Sequence, residues 1–339
     1  MSFTVQIALL IAIAPFTVLG SVVNAFIVVV NGIDWVKTRH LNSIDVIVTC
    51  LGTARFLLLW IVILENIFFF NPYLFTVVEF LNAFYAIWAF LDLADIWFAA
   101  LLCIFYCAKT ASLNHPLFIF LKSKIPGSLP WLLLGSMLAC LLTSFPLAWR
   151  FYDEYQRNST TSLSSNNSMI TNLSLAWDLS KEHKDNFTKL LSPYIAAKRV
   201  SAQENKHTYL MLELCLGYSL PFFICCVAIV LMIGSLLDHT WRMKDNAMGY
   251  CNPSLQVYFT VIKVMLSFLL LCVTNFILLM LILSEVFPTE SPWNDAMLVV
   301  IAAYQSLHSV ILILNNSKLR QVLERIFRHA TCSSGGANA

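Results

Sequence analysis

Apolar residues run along this chain in long stretches separated by short polar breaks. A helix needs about 20 such residues to cross the hydrocarbon core of a bilayer. Seven stretches are long enough: 5–31, 44–70, 80–108, 127–149, 208–237, 256–285 and 295–315. The breaks are Asp34 to His40, Asn71-Pro72-Tyr73, Lys109 to Pro126, the polar segment 150–207, Asp238 to Asn252, and Pro288 to Pro292. Nothing alternates in the ten-residue segments of a membrane barrel. The first stretch lacks a basic start and exceeds a signal peptide's apolar core, so it reads as a retained span. The pattern predicts an all-α bundle of seven transmembrane helices over 1–315. Within it, 150–207 forms a long outer loop, and 316–339 forms a tail.

Composition agrees. Apolar residues make up 59% of the chain and charged residues only 12%, against about 25% charged in a soluble domain. No soluble fold covers that much apolar surface with so little polar material. A net charge of +2 argues against nucleic acid as a partner and leaves the lipid bilayer as the expected surroundings. The charges also orient the bundle. Lys37 and Arg39, Lys109, Lys122 and Lys124, Arg242 and Lys244, and Lys318, Arg320, Arg325 and Arg328 fall on one side. The N-terminus and residues 71–79 and 286–294 hold no Lys or Arg. The positive side faces the cytoplasm, so the N-terminus is expected outside and the tail inside, in a plasma-membrane protein.

The long loop supports that orientation independently. It carries four N-x-[ST] sequons, at Asn158, Asn166, Asn172 and Asn186, and glycosylation occurs only on the lumenal face. The competing reading is an Asn/Ser-rich loop in which sequons arise from composition. In the tail, 316–329 can form a short amphipathic helix. Leu319, Val322, Leu323 and Ile326 share one face, and the basic residues around them suit anionic lipid. Cys332 beyond it is either a palmitoylation site or a free thiol.

Enzyme chemistry is not expected. H-E-x-x-H, G-x-S-x-G and a phosphate loop are all missing from the sequence. No His/Cys cluster has metal-ligand spacing, so neither a metal nor another cofactor is expected. The two halves show no internal similarity of the kind transporters often carry. Seven spans with an outer N-terminus and a basic inner side point instead to a G-protein-coupled receptor. Rhodopsin-like marks are missing: D-R-Y after span three, N-P-x-x-Y in span seven, and the cysteines that would tie span three to the long loop. Most of the ten Cys lie in apolar stretches and read as small buried hydrophobes.

Other motifs stand in their place. Span one has Gly20-x-x-x-Asn24-Ala25-Phe26-Ile27, then Asp34-Trp35. Span two has Ala54-Arg55-Phe56 and Leu64-Glu65-Asn66-Ile67. Span three has Trp97-Phe98-Ala99-Ala100 and Phe105-Tyr106-Cys107-Ala108-Lys109. His115-Pro116-Leu117-Phe118 and Leu121-Lys122-x-Lys124-Ile125 follow. Asp238-His239-Thr240, Pro253-Ser254 and Ile262-Lys263 come next. Span seven closes with His308-Ser309-x-Ile311-Leu312-Ile313-Leu314-Asn315-Asn316-x-Lys318-Leu319-Arg320. In order and spacing, from about residue 20 to 322, these resemble the type 2 taste receptors, the bitter receptor family. The resemblance implies small organic bitter agonists bound from outside between spans two, three, five, six and seven. It also implies a gustducin-like heterotrimeric G protein engaged inside near Tyr106, Lys109 and Lys263. By resemblance, Trp88 and Asp92 line the agonist pocket. The chain departs from the family pattern in having Tyr258 for His, Cys272 for Tyr and Asp92 for Asn, and in its long outer loop.

Ionisable residues inside spans are costly and point to function. At ~1.5 Å per residue, Arg55 lies roughly 16 Å and Asp95 roughly 20 Å above the inner ends of neighbouring helices. An Arg55–Asp95 ion pair is expected, with Asn24 completing the network. Its role is to fix packing, to switch, or both, and His308 is grouped with it. Trp88 and Asp92, four apart, share a helix face. An aromatic wall and an acid can hold a cationic amphipathic ligand; the alternative is a packed Trp and an Asp bonded to a neighbouring helix. Glu65, Asn66 and Glu213 read either as pocket rim or as solvated helix ends, and Tyr85 and Tyr304 as weaker pocket candidates. Lys263 either snorkels to the surface or takes part in switching. His115 reads as a surface residue. Two rivals stand beside this reading. One is a vomeronasal type 1 pheromone receptor, against which the end of span seven argues. The other is a solute transporter using Arg55, Asp92 and Asp95 as a relay.

Overall fold

The computed structural model describes residues 3–70, 78–110, 124–125, 127–144, 213–246, 253–284, 286–287 and 291–335. The four sequons and His115 lie outside the described residues, as do the side chains of Glu65, Asn66, Tyr85, Glu213, Tyr258 and Cys332.

The described residues form helices and turns, with no strand among them. Helix α1 spans Phe3–Thr38, α2 Ser43–Phe70, α3 Val78–Thr110 and α4 Gly127–Ser144. A π-helical turn, Glu213–Ser219, leads into α5, Leu220–Asn246. Helix α6 spans Pro253–Leu283, α7 Pro292–Asn315 and α8 Ser317–Gly335. The first seven are long and apolar enough to cross a membrane, as the hydropathy pattern predicts.

Several helices outrun their apolar stretches. α1 continues through Asp34 to Lys37, where a break is expected. A polar residue ends an apolar run but does not break a helix; backbone geometry does. Here the helix ends at Arg39, which takes a left-handed φ of 55° and donates its N–H to the Trp35 carbonyl at 2.8 Å. α5 likewise runs past Asp238 to Asn246, with no Pro or Gly between those two residues. α6 then begins on Pro253, whose missing N–H costs nothing at a helix start. α7 opens with Ser291 as its cap, accepting from the Trp293 N–H.

Packing closes a ring: α1 meets α2 and α7, α2 meets α3, α3 meets α5, α5 meets α6, and α6 meets α7. α3 is the axis, with 67% of its spanning window buried against 17% for α6. One apolar cluster joins α1, α2, α3, α4 and α7 around Ile27, Leu51, Leu93, Leu102 and Leu312. A second joins α3, α5 and α6 around Cys103, Cys225, Ile229, Phe268 and Cys272. Cys103 and Cys225 touch, with sulfurs 2.9 Å apart. The outer surface is apolar too, as at Trp131, which is 75% exposed. The buried set inside includes Asn24, Arg55, Asp92, Asp95 and His308. Polar residues inside and apolar residues outside invert the soluble arrangement and suit lipid.

At Gly20, α1 lies close against α2 and α7. A Cβ there would meet the Ser306 Oγ at 2.5 Å and Leu59 at 2.7 Å, and the Ser306 hydroxyl donates across to the Phe16 carbonyl at 2.6 Å. Small residues allow such close approach between helices in lipid.

Candidate functional site

Two polar assemblies lie on α3, three residues apart. At the lower one Arg55, 0% exposed, donates from Nε to Asp95 Oδ1 at 2.5 Å. A fully buried guanidinium is tolerated only beside a counter-charge and hydrogen-bond acceptors. Arg55 Nη1 donates to the Ser309 Oγ of α7 at 3.2 Å. That hydroxyl's single proton is shared between Asn24 Oδ1 at 2.8 Å and the Gln305 carbonyl at 2.9 Å. Asn24 Nδ2 in turn donates to the Gly20 carbonyl at 2.8 Å. The expected ion pair is present, and Asn24 joins it through Ser309. This chain of bonds ties α1, α2, α3 and α7 at one depth. Ser309 had no assigned role in the sequence reading, although a hydroxyl on the small-residue face of span seven was the available signal.

His308 and Tyr304 complete the inner wall. The His308 ring lies 4.3 Å from Phe268 and stacks on Tyr304 at 5.7 Å. The Tyr304 ring centroid is 5.9 Å from the Arg55 guanidinium carbon. Several buried polar atoms here have no hydrogen-bond partner among the described residues: Arg55 Nη2, both His308 nitrogens, Asn275 Oδ1 and Trp97 Nε1. Such groups are expensive to leave unpaired.

The upper assembly centres on Asp92, which is 8% exposed. Its Oδ2 accepts from the Tyr218 hydroxyl at 2.7 Å. Tyr218, 1% exposed, sits in the π-helical turn. The turn precedes Pro221, whose ring removes the N–H that α-geometry would direct to Gly217. Trp88, one turn away on α3, is half-buried against the main apolar cluster. Tyr218 was missed from sequence, although it is the one phenol between Glu213 and Asp238. Neighbouring acids on α3 thus grip different helices: Asp95 holds α2, and Asp92 holds the start of α5.

Between these assemblies, α3, α5, α6 and α7 leave a crevice of about 30 Å³, bordered by Ile96, Phe222, Asn275, Phe276 and Tyr304. Phe222 and Phe276 stack at 3.9 Å across it. That volume suits a water or two, whereas organic ligands occupy roughly 300–1,000 Å³. At the other end of α3, Tyr106 borders a cavity of about 20 Å³ with Met265, Ile311 and Asn315, and Lys109 is exposed. Lys263 is exposed on α6 with no ion-pair partner among the described residues, outside the buried network. Lys318, expected to face lipid, turns inward instead. Its Nζ lies 2.5 Å from Asp34 Oδ2, 3.5 Å from Asp45 Oδ2 and 3.1 Å from Asn31 Oδ1. Two carboxylates on α1 and α2 outcompete a diffuse anionic surface for one ammonium, and Leu319 beside it is buried.

Comparison with known proteins is consistent across nearly the whole length. The family model "Taste receptor protein (TAS2R)" matches residues 1–181 and 180–331. Taste receptor type 2 member 40 of Gallus gallus is 34% identical over 315 residues, covering 92% of each chain. Taste receptor type 2 member 9 of Papio hamadryas is 31% identical over 335 residues, covering 97% of this chain and 96% of its own. Taste receptor type 2 member 41 of Pan troglodytes is 30% identical over 319 residues, covering 91% and 92%.

Proposed function

The chain belongs to the type 2 taste receptor family, the bitter receptors among G-protein-coupled receptors, and from that premise we propose how it works. A small organic agonist enters from outside and binds beside Trp88 and Asp92, with Tyr218 and the α3–α5–α6–α7 crevice below it. Glu65, Asn66, Tyr85 and Glu213 form the rim. A gustducin-like heterotrimer docks at the Tyr106 and Lys109 end. The N-terminus is extracellular, the tail cytoplasmic, and the four sequons of 150–207 carry glycans.

The observation that carries this reading is the Asp92–Tyr218 bond over a crevice too small for an organic ligand. An agonist that takes hold of Asp92 replaces a tie between α3 and α5 and parts the stacked Phe222 and Phe276. It therefore binds the opened arrangement better than the closed one, and only such a difference shifts a population. The same movement loads the Asp95–Arg55–Ser309–Asn24 chain one turn below, which links α3 to α2, α7 and α1. The deciding experiment is an agonist screen by calcium release in cells with and without a taste-type G protein. Release that requires the G protein supports the reading. Solute flux into vesicles without G protein would sink it in favour of transport.

A further inference from the structure

Away from the agonist site, two cavities meet on the outer side of α3. The first, about 370 Å³, is lined entirely by apolar side chains, among them Ile104, Cys107, Phe223, Val227 and Leu231. It opens outward: Phe223 is 60% and Val227 58% exposed. In a chain whose helices cross a membrane, that direction is lipid. The lining of α5 from Leu220 to Leu231 extends roughly 16 Å along the helix axis, the scale of an acyl chain rather than of a side chain.

The second cavity, also about 370 Å³, shares Ala108 and Ile125 with the first and has a different chemistry. It is bordered by Lys109 at the end of α3 and by Asn42 and Ser43 at the start of α2. Lys109 has no ion-pair partner among the described residues, and Lys124, next to Ile125, is exposed. Asn42 caps α2 with its carbonyl, which accepts from Val46 N–H at 3.0 Å. The one acid of that first turn, Asp45, is turned away to Lys318 and Asn316. What faces the cavity is therefore a lysine and a helix N-terminus, both of which favour an anion.

We propose that these two adjoining cavities, which share Ala108 and Ile125, act as one binding site for an anionic phospholipid of the cytoplasmic leaflet, its acyl chain in the apolar cleft and its phosphate headgroup against Lys109 and the first turn of α2. A sterol would leave the lysine-bearing half unused, and a free anion would leave the apolar half unused. A lipid fills both, and the bilayer supplies it from the side to which the cleft opens. The leaflet rests on the orientation given above.

The test places the full chain in phosphatidylcholine nanodiscs with a trace of phosphatidylserine carrying a diazirine on its acyl chain. Adducts mapped by mass spectrometry should concentrate on Ile104–Ala108 and Leu220–Leu231. Lys109→Gln should lower that labelling about fivefold, the worth of one lysine near an anionic surface. Val227→Trp fills the cleft from its lipid side without disturbing the core and should lower labelling on α3 and α5 together. Excess unlabelled phosphatidylserine should compete. Equal competition by phosphatidylcholine or by inorganic phosphate overturns the proposal, as does labelling spread over the outer faces of α1, α4 and α6 in proportion to their exposure. No agonist or G protein enters the measurement, so its failure would leave the receptor reading untouched.

Discussion

Asp92 accepts from Tyr218, at a position where the family resemblance implies Asn. A charge-assisted hydrogen bond contributes about 1.5–3 kcal/mol, roughly 10- to 150-fold in potency. Asp92→Asn keeps the size and the acceptor for Tyr218 and removes the charge. It should weaken protonated amine agonists by that order and leave neutral agonists nearly unchanged, read from dose–response curves. Tyr218→Phe removes the competitor for the carboxylate and should move the amine-to-neutral potency ratio the opposite way. Trp88→Ala should weaken both kinds, because apolar contact needs no charge. Equal shifts of amine and neutral agonists in Asp92→Asn would refute the charge-selective role. One turn below, Arg55 and Asp95 are buried together. Removing either partner of such a pair costs about 3–5 kcal/mol, so Arg55→Ala and Asp95→Ala should each sharply lower surface expression. The double variant should cost much less than the sum, and simple additivity would show the pair uncoupled.

At the scale of elements, close approach and ion pairing set how helices seat on one another. Gly20 has no room for a Cβ, whereas Gly32 has nothing within 4 Å. Gly20→Val should overpack the α1–α7 contact at a cost of about 1–3 kcal/mol, seen as a lower melting temperature of purified receptor. Gly32→Val, facing open space, should change stability by less than about 0.5 kcal/mol; similar losses in both would contradict the contact. Lys318 fastens α8 to Asp34 and Asp45, but its side chain is partly exposed, so the bond contributes about 1 kcal/mol or less. Lys318→Met should speed hydrogen exchange in α8 while leaving the seven spanning helices protected. Unchanged exchange in α8 would mean that Leu319 and Leu323 alone hold it.

Over the whole molecule, the ring of helices puts polar groups inside and apolar groups outside, and the eleven Lys and Arg of the short loops and tail predict its orientation. A tag before Met1 should be accessible on intact cells and one after Ala339 only after permeabilisation. N-glycosidase should lower the apparent mass, and changing Asn158, Asn166, Asn172 and Asn186 to Gln should abolish that shift. A mass shift that persists would place glycans elsewhere. Under the proposed binding mode, signalling depends on helix movement, because the interior crevice of about 30 Å³ is far smaller than an ordinary organic ligand.

The chain's hydropathy alone determined seven spanning helices, because lipid allows no backbone group to go unpaired and any sufficiently long apolar run must be helical. The sequence also determined the family, through motifs spread from Gly20 to Arg320, and the Arg55–Asp95 pair, because two opposite charges at similar depth have few other partners. Helix ends were less legible. Polarity changes at Asp34 and Asp238, but the helices run on to Thr38 and Asn246. Tertiary structure alone decided that Ser309 relays Arg55 to Asn24, that Asp92 grips Tyr218, and that Lys318 turns inward to two carboxylates. Each depends on how helices rotate and how far they approach, which side-chain packing sets across contacts distant in sequence. Hydropathy fixes a helix's surroundings but is blind to its azimuth, and in a helix apolar on nearly every face the azimuth is where the site resides.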